Sequence, residues 1–569
     1  MIDSSGENKD LVLQSSTIGL QKAHKSIAVT HRVLNKELTE LFNRGFLLLN
    51  SKKIKEPVID YLFQLENLPT NRIVADYSFE AEVDSDYTDA IGLFNKAWDE
   101  RPNHFLTNLM LGICHYKNEN YQESIAALTF AIELTSESLP LLLRARSKEA
   151  LKDYDGALED CNLALILDPG FPYAYLRLGD IKMGMRNFLG AIDDFSKAIE
   201  IDSCYADAYK VRGDANENLK RYDEAIIDYS KAIELNPDLR CAYCGRGRSY
   251  HELDDYNEAI QNFSNALRID DSHESAYIAR AKSKMSLKDY FGAIQDYSMA
   301  IDLDVNYSEY YAKRGYAKYM FGDLSAAIED YSLILELNPS DGRAYRMRGF
   351  IKRQMKDFYN ALLDFDAAIL IDPADALSYQ YKGAVNYRLQ FYEEALKDYS
   401  VAIEIDKNNF TAFRERGDVK LQLEKYIDAI EDYSKAIQLN NDPSNYSIAM
   451  AYEGRGQAKM QLQDYSGAIE DFSVIIIHGS HIYRALLNRS KAKIVISDYI
   501  GAFEDSTKSI EESPDEALPF AIRAYSKEKL GDSEGAIVDY RIALEYSINS
   551  NDTELQKTIQ NHLSKLVTS

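Results

Sequence analysis

The fold class this sequence predicts is an all-α solenoid, and three observations point to it. One unit recurs every 34 residues from about Asn71 to about Ser550. Tyr-x-x-Ala-Ile returns in register as Tyr87 to Ile91, Tyr222 to Ile226, Tyr256 to Ile260, Tyr426 to Ile430 and Tyr465 to Ile469. Six of the twelve prolines fall at one place in the unit: Pro102, Pro169, Pro237, Pro339, Pro373 and Pro514. A fixed period of this size marks a stack in which each unit buries its apolar face on its neighbours.

The stretch from Ala206 to Asp238 shows how one unit is built. Ala208, Tyr209, Gly213 and Leu219 have helical spacing and predict a first amphipathic helix. Lys220-Arg221 is the turn. Asp223, Ala225, Ile226, Tyr229, Ala232, Ile233 and Leu235 mark a second helix. Asn236-Pro237 ends it, because proline cannot continue a helix and disfavours helix in the residue before it. Each unit is therefore an antiparallel helix pair.

Counting Ala206 as the first position, the small Gly213 is the eighth, and Tyr222, Ala225, Tyr229, Ala232 and Pro237 are the 17th, 20th, 24th, 27th and 32nd. Glycine returns at the eighth position as Gly112, Gly179, Gly247, Gly315, Gly349, Gly383, Gly417 and Gly456. This pattern resembles the tetratricopeptide repeat, over about fourteen units. The resemblance implies a right-handed superhelix whose first helices line a concave groove. It also implies a non-catalytic scaffold or adaptor that binds a partner protein or peptide there.

The organisation expected from the sequence has four parts. Residues 1–37 hold a disordered start and a helix over Ile18 to Glu37. Residues 38–70 form a degenerate helix pair, in which Gly45, Tyr61 and Pro69 keep the spacing while Pro57 breaks it. The array spans 71–550, and residues 551–569 hold a capping helix with Leu555, Ile559, Leu563 and Leu566 on one face. The register slips twice. Tyr121 to Tyr154 lacks one residue, and Gly417 to Gly456 carries five extra, expected in the turn-rich 440–446 region.

The chain departs from the family pattern by placing charge inside the hairpin. Arg or Lys stands at the seventh position and an acid at the 23rd, as in Arg314 with Asp330, Arg348 with Asp364 and Arg416 with Asp432. The two positions are equidistant from the turn, so an antiparallel hairpin brings them side by side. Leu111 with Ala127 lacks both partners, and Leu178 with Asp194 breaks the rule. The expected role is a structural ion pair.

Groove-facing positions vary from unit to unit. The central units offer Tyr316, Tyr319, Phe350, Tyr381 and Tyr387 beside Arg343, Arg346, Arg353 and Arg388. Aromatic and arginine side chains are the usual interface anchors, so these residues are the candidate partner-binding set, suited to an acidic or aromatic segment. The Lys-plus-Asn carboxylate clamp of chaperone-binding relatives is not evident.

Composition narrows the remaining options. The net charge of −26 opposes binding to nucleic acid, which needs clustered cations. No apolar run is long enough to cross a membrane, and MIDSSGENKD has no signal-peptide character. Five cysteines suit free thiols in a reducing cytoplasm. Cys241-Ala242-Tyr243-Cys244, with both thiols expected toward the groove and His251 nearby, lacks the second ligand pair that zinc favours. No phosphate loop, metal-binding His-Glu-x-x-His or nucleophile elbow occurs, so neither catalysis nor a cofactor is expected. The alternatives are a regulatory sensor that changes shape on binding a peptide or small ligand, or a regulatory subunit of an enzyme complex.

Overall fold

In each unit a first helix is followed by a tight turn and a second helix lying antiparallel on it. The computed structural model describes residues 105–479, 482–549 and 552–568, with residues 91–92, 94–95, 98–99 and 102–103. The expected N-terminal helix, the degenerate pair at 38–70 and the unit containing Tyr77 and Leu93 fall wholly or largely outside the described residues. Among the described residues the structure is all-α, without strands.

Two units divide the chain, one ending at Leu287 and one beginning at Lys288. The first unit holds α1 Phe105–Lys117, α2 Tyr121–Leu134, α3 Ser138–Ala150, α4 Tyr154–Leu167, α5 Pro172–Gly184, α6 Phe188–Ile201, α7 Ala206–Asn218, α8 Tyr222–Leu235, α9 Arg240–Glu252, α10 Tyr256–Ile269 and α11 Glu274–Ser286. The second holds α12 Tyr290–Leu303, α13 Ser308–Phe321, α14 Leu324–Leu337, α15 Gly342–Gln354, α16 Phe358–Ile371, α17 Ala376–Arg388, α18 Tyr392–Ile405, α19 Phe410–Gln422, α20 Tyr426–Leu439, α21 Tyr446–Gln461, α22 Tyr465–His478, α23 Ile482–Val495, α24 Tyr499–Glu512, α25 Ala517–Lys529, α26 Ser533–Asn549 and α27 Thr553–Thr568. Within each unit every helix packs on the one before and the one after it. The last helix places Leu555, Ile559 and Leu563 against the α25–α26 pair.

Local chemistry explains the hairpin. The turn residue takes a left-handed conformation, as at Lys152, Lys220 and Lys356, and twice it is glycine, Gly322 and Gly531. Asp153, Asp289, Asp323 and Asp464 then cap the second helix by accepting a backbone N–H from its first turn. Close approach of the helices requires the small eighth residue. A Cβ on Gly213 would lie 2.8 Å from the Tyr229 ring, which is wholly buried.

The Arg–Asp pairs lie at the centre of the hairpins. Arg314 donates Nε to Asp330 Oδ2 at 3.0 Å and Nη2 to Oδ1 at 2.7 Å. The same two-pronged bond joins Arg144 to Asp160, Arg212 to Asp228, Arg348 to Asp364, Arg416 to Asp432, Arg455 to Asp471, Arg489 to Asp505 and Arg523 to Asp539. Two further partners were not read from the sequence. A lysine four residues after the arginine also reaches the acid: Lys318 Nζ lies 2.9 Å from Asp330 and Lys352 Nζ 2.7 Å from Asp364. The remaining arginine nitrogen, Nη1, crosses to a serine of the preceding hairpin, as in Arg348 to Ser332 at 3.0 Å and Arg416 to Ser400 at 3.2 Å.

The exceptions follow the same logic. Asp194 faces Leu178, and Lys182 takes over at 2.5 Å. Where Asn262 replaces the acid, Tyr250 stands in the lysine's place, and Arg246 donates to the neutral Asn262 at 2.7 Å. Lys382 is the weak member. Its Nζ turns to Asp366 at 2.8 Å and stays 3.8 Å from Asp398, which is held instead by Asn386 at 2.7 Å.

Both register slips now have a location. The missing residue comes out of the α2–α3 connection, which is three residues long rather than four. The insertion differs from its expected place. Two of the five extra residues lengthen the connection before α21, and three lengthen α21 itself, to 16 residues from the usual 13. Tyr446, Ser447 and Ile448 continue the helix backwards because Asn445 caps it, accepting from the Ser447 N–H.

Two outcomes are expected from these pairs. Asp330 is fully buried between two cations, and removing one side of such a pair leaves charge unmatched in a dry site. Asp330→Ala is expected to lower stability by about 3 kcal/mol, against a few tenths for the exposed Glu329→Ala; equal shifts in thermal unfolding would rule out the buried pairing. At Asp398, burial pushes the carboxyl up to about 6 against the pull of Lys382. A carboxyl raised above its unfolded value of about 3.9 holds its proton more tightly when folded. Its contribution is therefore present below the unfolded value and lost as pH rises through about 6. Lys382→Arg, which restores the fork, is expected to add about 1 kcal/mol at neutral pH and to flatten that loss between pH ~4 and ~6, measured as urea midpoints across a pH series.

Candidate functional site

Side chains at the second, fifth, ninth, twelfth and thirteenth positions of the first helices have no packing role shared by all units. In the second unit α13, α15 and α17 bring several of them together, joined by Tyr381 at the sixth position. Tyr316 and Tyr319 lie with ring centroids 6.3 Å apart, Tyr319 meets Phe350 edge-on at 5.7 Å, and Phe350 meets Tyr381 at 5.1 Å. These rings form a continuous aromatic ladder across three hairpins. Tyr316 is 45% exposed, and the other rungs are half-buried. The Arg353 guanidinium lies 4.9 Å from the Phe350 ring centre and 5.3 Å from that of Tyr381, within cation–π range.

Not all the candidate cations are equivalent. Arg346 is committed to Asp375 at 2.5 Å. Arg343 is exposed at the start of α15. Arg353 and Arg388 form no ion pair with a described carboxylate, and neither does Lys356 in the α15–α16 turn. Tyr387 lies apart from the ladder, with its ring 5.8 Å from Tyr392.

Arg353, Lys356, Tyr387 and Arg388 converge instead on a cavity of about 780 Å³. Its walls also include Phe358, Ala384 and Tyr399, with Arg414, Glu415 and Asp418 of α19, and Tyr446 and Met450 of α21. Arg414 is held by Asp418 at 2.6 Å, Glu415 at 2.9 Å and the Ser447 hydroxyl at 3.2 Å. Gln380 donates to Glu415 at 3.0 Å, and the Tyr433 hydroxyl donates to Asp418 at 2.8 Å. Burial raises both carboxyls, with Arg414 opposing, and burial holds the Tyr399 hydroxyl well above its usual value. This α19 cluster was not identified from the sequence. Its signal was present as the run Arg414-Glu415-Arg416 beside an insertion, but the cavity depends on which helices meet.

The structural arginines have a different setting. Arg314 and Arg348 lie over Tyr311 and Tyr345 at 5.5 and 5.4 Å and point into their hairpins. The two cysteines of the C-x-x-C differ in exposure. Cys244 is buried, and burial pushes its thiol up to about 11, while Cys241 is half-buried. His251 shares a hydrogen bond of 2.9 Å with Ser283. Among the described residues no three His, Cys, Asp or Glu side chains group as a metal site. No described helix is long and apolar enough to cross a membrane.

Family models described as tetratricopeptide repeat match residues 109–172, 172–203, 206–239, 242–273 and 414–480. The helix pairs between the matched segments repeat the same geometry in the same register. The chain is built of tetratricopeptide repeats. No curated protein matches it. Solved structures with partial likeness include YrrB, described as a TPR protein with an unusual peptide-binding site, at 26% identity over 32% of this chain and 95% of that one, TM-score 0.30. A tetratricopeptide repeat protein from Parabacteroides merdae is 20% identical over 46% and 99%, TM-score 0.33. The APC/C hetero-tetramer Cut9-Hcn1 is 15% identical over 84% and 93%, TM-score 0.34. The helix pairing and the family-model matches, rather than these overlaps, carry the assignment. The tetratricopeptide repeat is in general a non-catalytic, protein-binding fold.

Proposed function

We propose that this tetratricopeptide-repeat chain is a scaffold or adaptor that holds a partner protein on the first-helix face of α13, α15 and α17. The observation that supports this reading most is the ladder Tyr316–Tyr319–Phe350–Tyr381, half-exposed and capped by Arg353. The fold's own packing already occupies the eighth and 24th positions, so Tyr316, Tyr319 and Phe350 are not needed to close the hairpins, whereas Tyr381 also packs on the buried Phe365 and ties the ladder to the core. Partly exposed aromatic groups backed by rigid helices are effective anchors, because little side-chain freedom is lost on binding. Arg343, Arg353 and Arg388 favour an acidic partner segment, and the acidity of the rest of the chain steers such a segment toward this basic patch. Free thiols at all five cysteines favour a reducing compartment such as the cytoplasm.

The test is affinity purification of the tagged full chain from its own host, read by quantitative mass spectrometry. A Tyr319→Ala, Phe350→Ala double variant is expected to lose at least about tenfold of the specific partner while its thermal unfolding stays close to that of the parent. Undiminished recovery would move the binding surface elsewhere.

A further inference from the structure

The cavity beside the ladder is built by the break in the repeat. In a regular unit the first helix starts at the position held here by Ala449, counted back from Gly456 at the eighth. The three additional residues of α21 bring Tyr446 to the rim of the cavity and Ser447 onto Arg414. Tyr446 is 63% exposed, whereas the other large apolar side chains of its helix are buried, as Ile448 is, or half-buried, as Met450, Tyr452 and Met460 are. The insertion thus supplies a wall that a regular 34-residue unit lacks.

The chemistry of this wall-and-floor arrangement is specific. Arg353, Lys356 and Arg388 line the cavity without a close ion pair to a described carboxylate, Arg353 acting on Glu415 only at longer range, in a chain whose net charge is −26. The fourth cation, Arg414, is already satisfied by Asp418 and Glu415. Phe358, Tyr387, Tyr399 and Met450 line the cavity between these charges. The volume of about 780 Å³ is within the range of sites that enclose a ligand, roughly 300–1,000 Å³, and exceeds what a single ion needs.

We infer that this cavity is an anchoring pocket for an acidic segment of a partner protein, taking one aromatic or large aliphatic side chain between two carboxylates. The inference rests on the scaffold reading above and adds where the partner is gripped and by what. The side chain enters between Tyr387, Tyr399 and Met450, with Tyr446 closing over it. The flanking carboxylates meet Arg353, Lys356 and Arg388. Arg353 belongs to both surfaces: it lines the cavity and stacks on Phe350 and Tyr381. A peptide anchored here therefore runs out along the aromatic ladder. Three free cations are too few to neutralise a nucleic acid on so acidic a chain, whereas they match two or three carboxylates.

The experiment is selection from a random peptide library displayed on phage against the full chain, followed by fluorescence anisotropy with synthetic versions of the enriched peptides. Enrichment of sequences with Asp or Glu around Phe, Tyr, Trp or Leu is expected. Arg353→Glu with Arg388→Glu in one chain is expected to weaken their binding at least about thirtyfold, and Tyr446→Ala about fivefold. Arg541→Glu, exposed on α26, is expected to leave binding unchanged. Circular dichroism melting of each variant checks the fold; Tyr446→Ala keeps the test open if the double charge reversal unfolds the chain. Peptides that need Tyr319 and Phe350 but ignore Arg353, Arg388 and Tyr446 would overturn the pocket and leave the scaffold reading standing. An equal loss with Arg541→Glu would reduce the effect to overall charge and overturn it as well. A library that yields no binder would count against both readings.

Discussion

A carboxylate buried inside a helical hairpin must be matched by positive charge, and this chain meets that demand in most of its described hairpins with one arrangement. The acid sits on the second helix. An arginine from the first helix grips it with two parallel bonds, and a lysine one turn further on completes the neutralisation. The same arginine extends its third nitrogen to a serine of the preceding hairpin. One side chain therefore fixes the pairing within a hairpin and the register between hairpins. Apolar packing alone is more permissive, because similar side chains tolerate a shift. A fork aimed at a single carboxylate and a single hydroxyl does not.

This arrangement divides the arginines of the second unit into two populations. Those at the seventh position are neutralised, half-buried and repeated, and they hold the stack together. Those on the first-helix face sit in different company. Arg346 is claimed by Asp375, while Arg353 and Arg388 keep their charge available. A cation that the fold itself does not use is the more informative one. Its position beside a run of aromatic rings gives the face both adhesion and a preference for anionic partners.

The insertion before α21 illustrates how a repeat array acquires an individual site. Regular units tile into a surface whose local shape varies only with side-chain identity. Lengthening one first helix by three residues adds a wall, and the hydrogen bond from Arg414 to Ser447 ties that wall to the neighbouring helix. The polar floor of Arg414, Glu415 and Asp418 is fully occupied internally, which leaves the cations at the opposite edge as the reactive part of the cavity.

The sequence by itself determined the helix pairs, their turn and stop positions, and the pairing of the seventh residue with the 23rd. These properties are periodic, and repetition separates them from chance. Asp330 facing Arg314 was legible for that reason, as was the aromatic character of the face at Tyr316, Tyr319 and Phe350. The tertiary structure decided the further partners of the pair, because Lys318 reaches Asp330 from the arginine's own helix and Ser298 meets Arg314 from the preceding hairpin, contacts that only packing makes visible. It also decided that Cys244 is buried, that Arg346 is spent on Asp375, and that the extra residues near 440–446 mostly lengthen a helix. The cavity had no sequence signature, because it is the space left between α15, α17, α19 and α21. Such a space is set by how far each helix extends when packed, which periodicity cannot express.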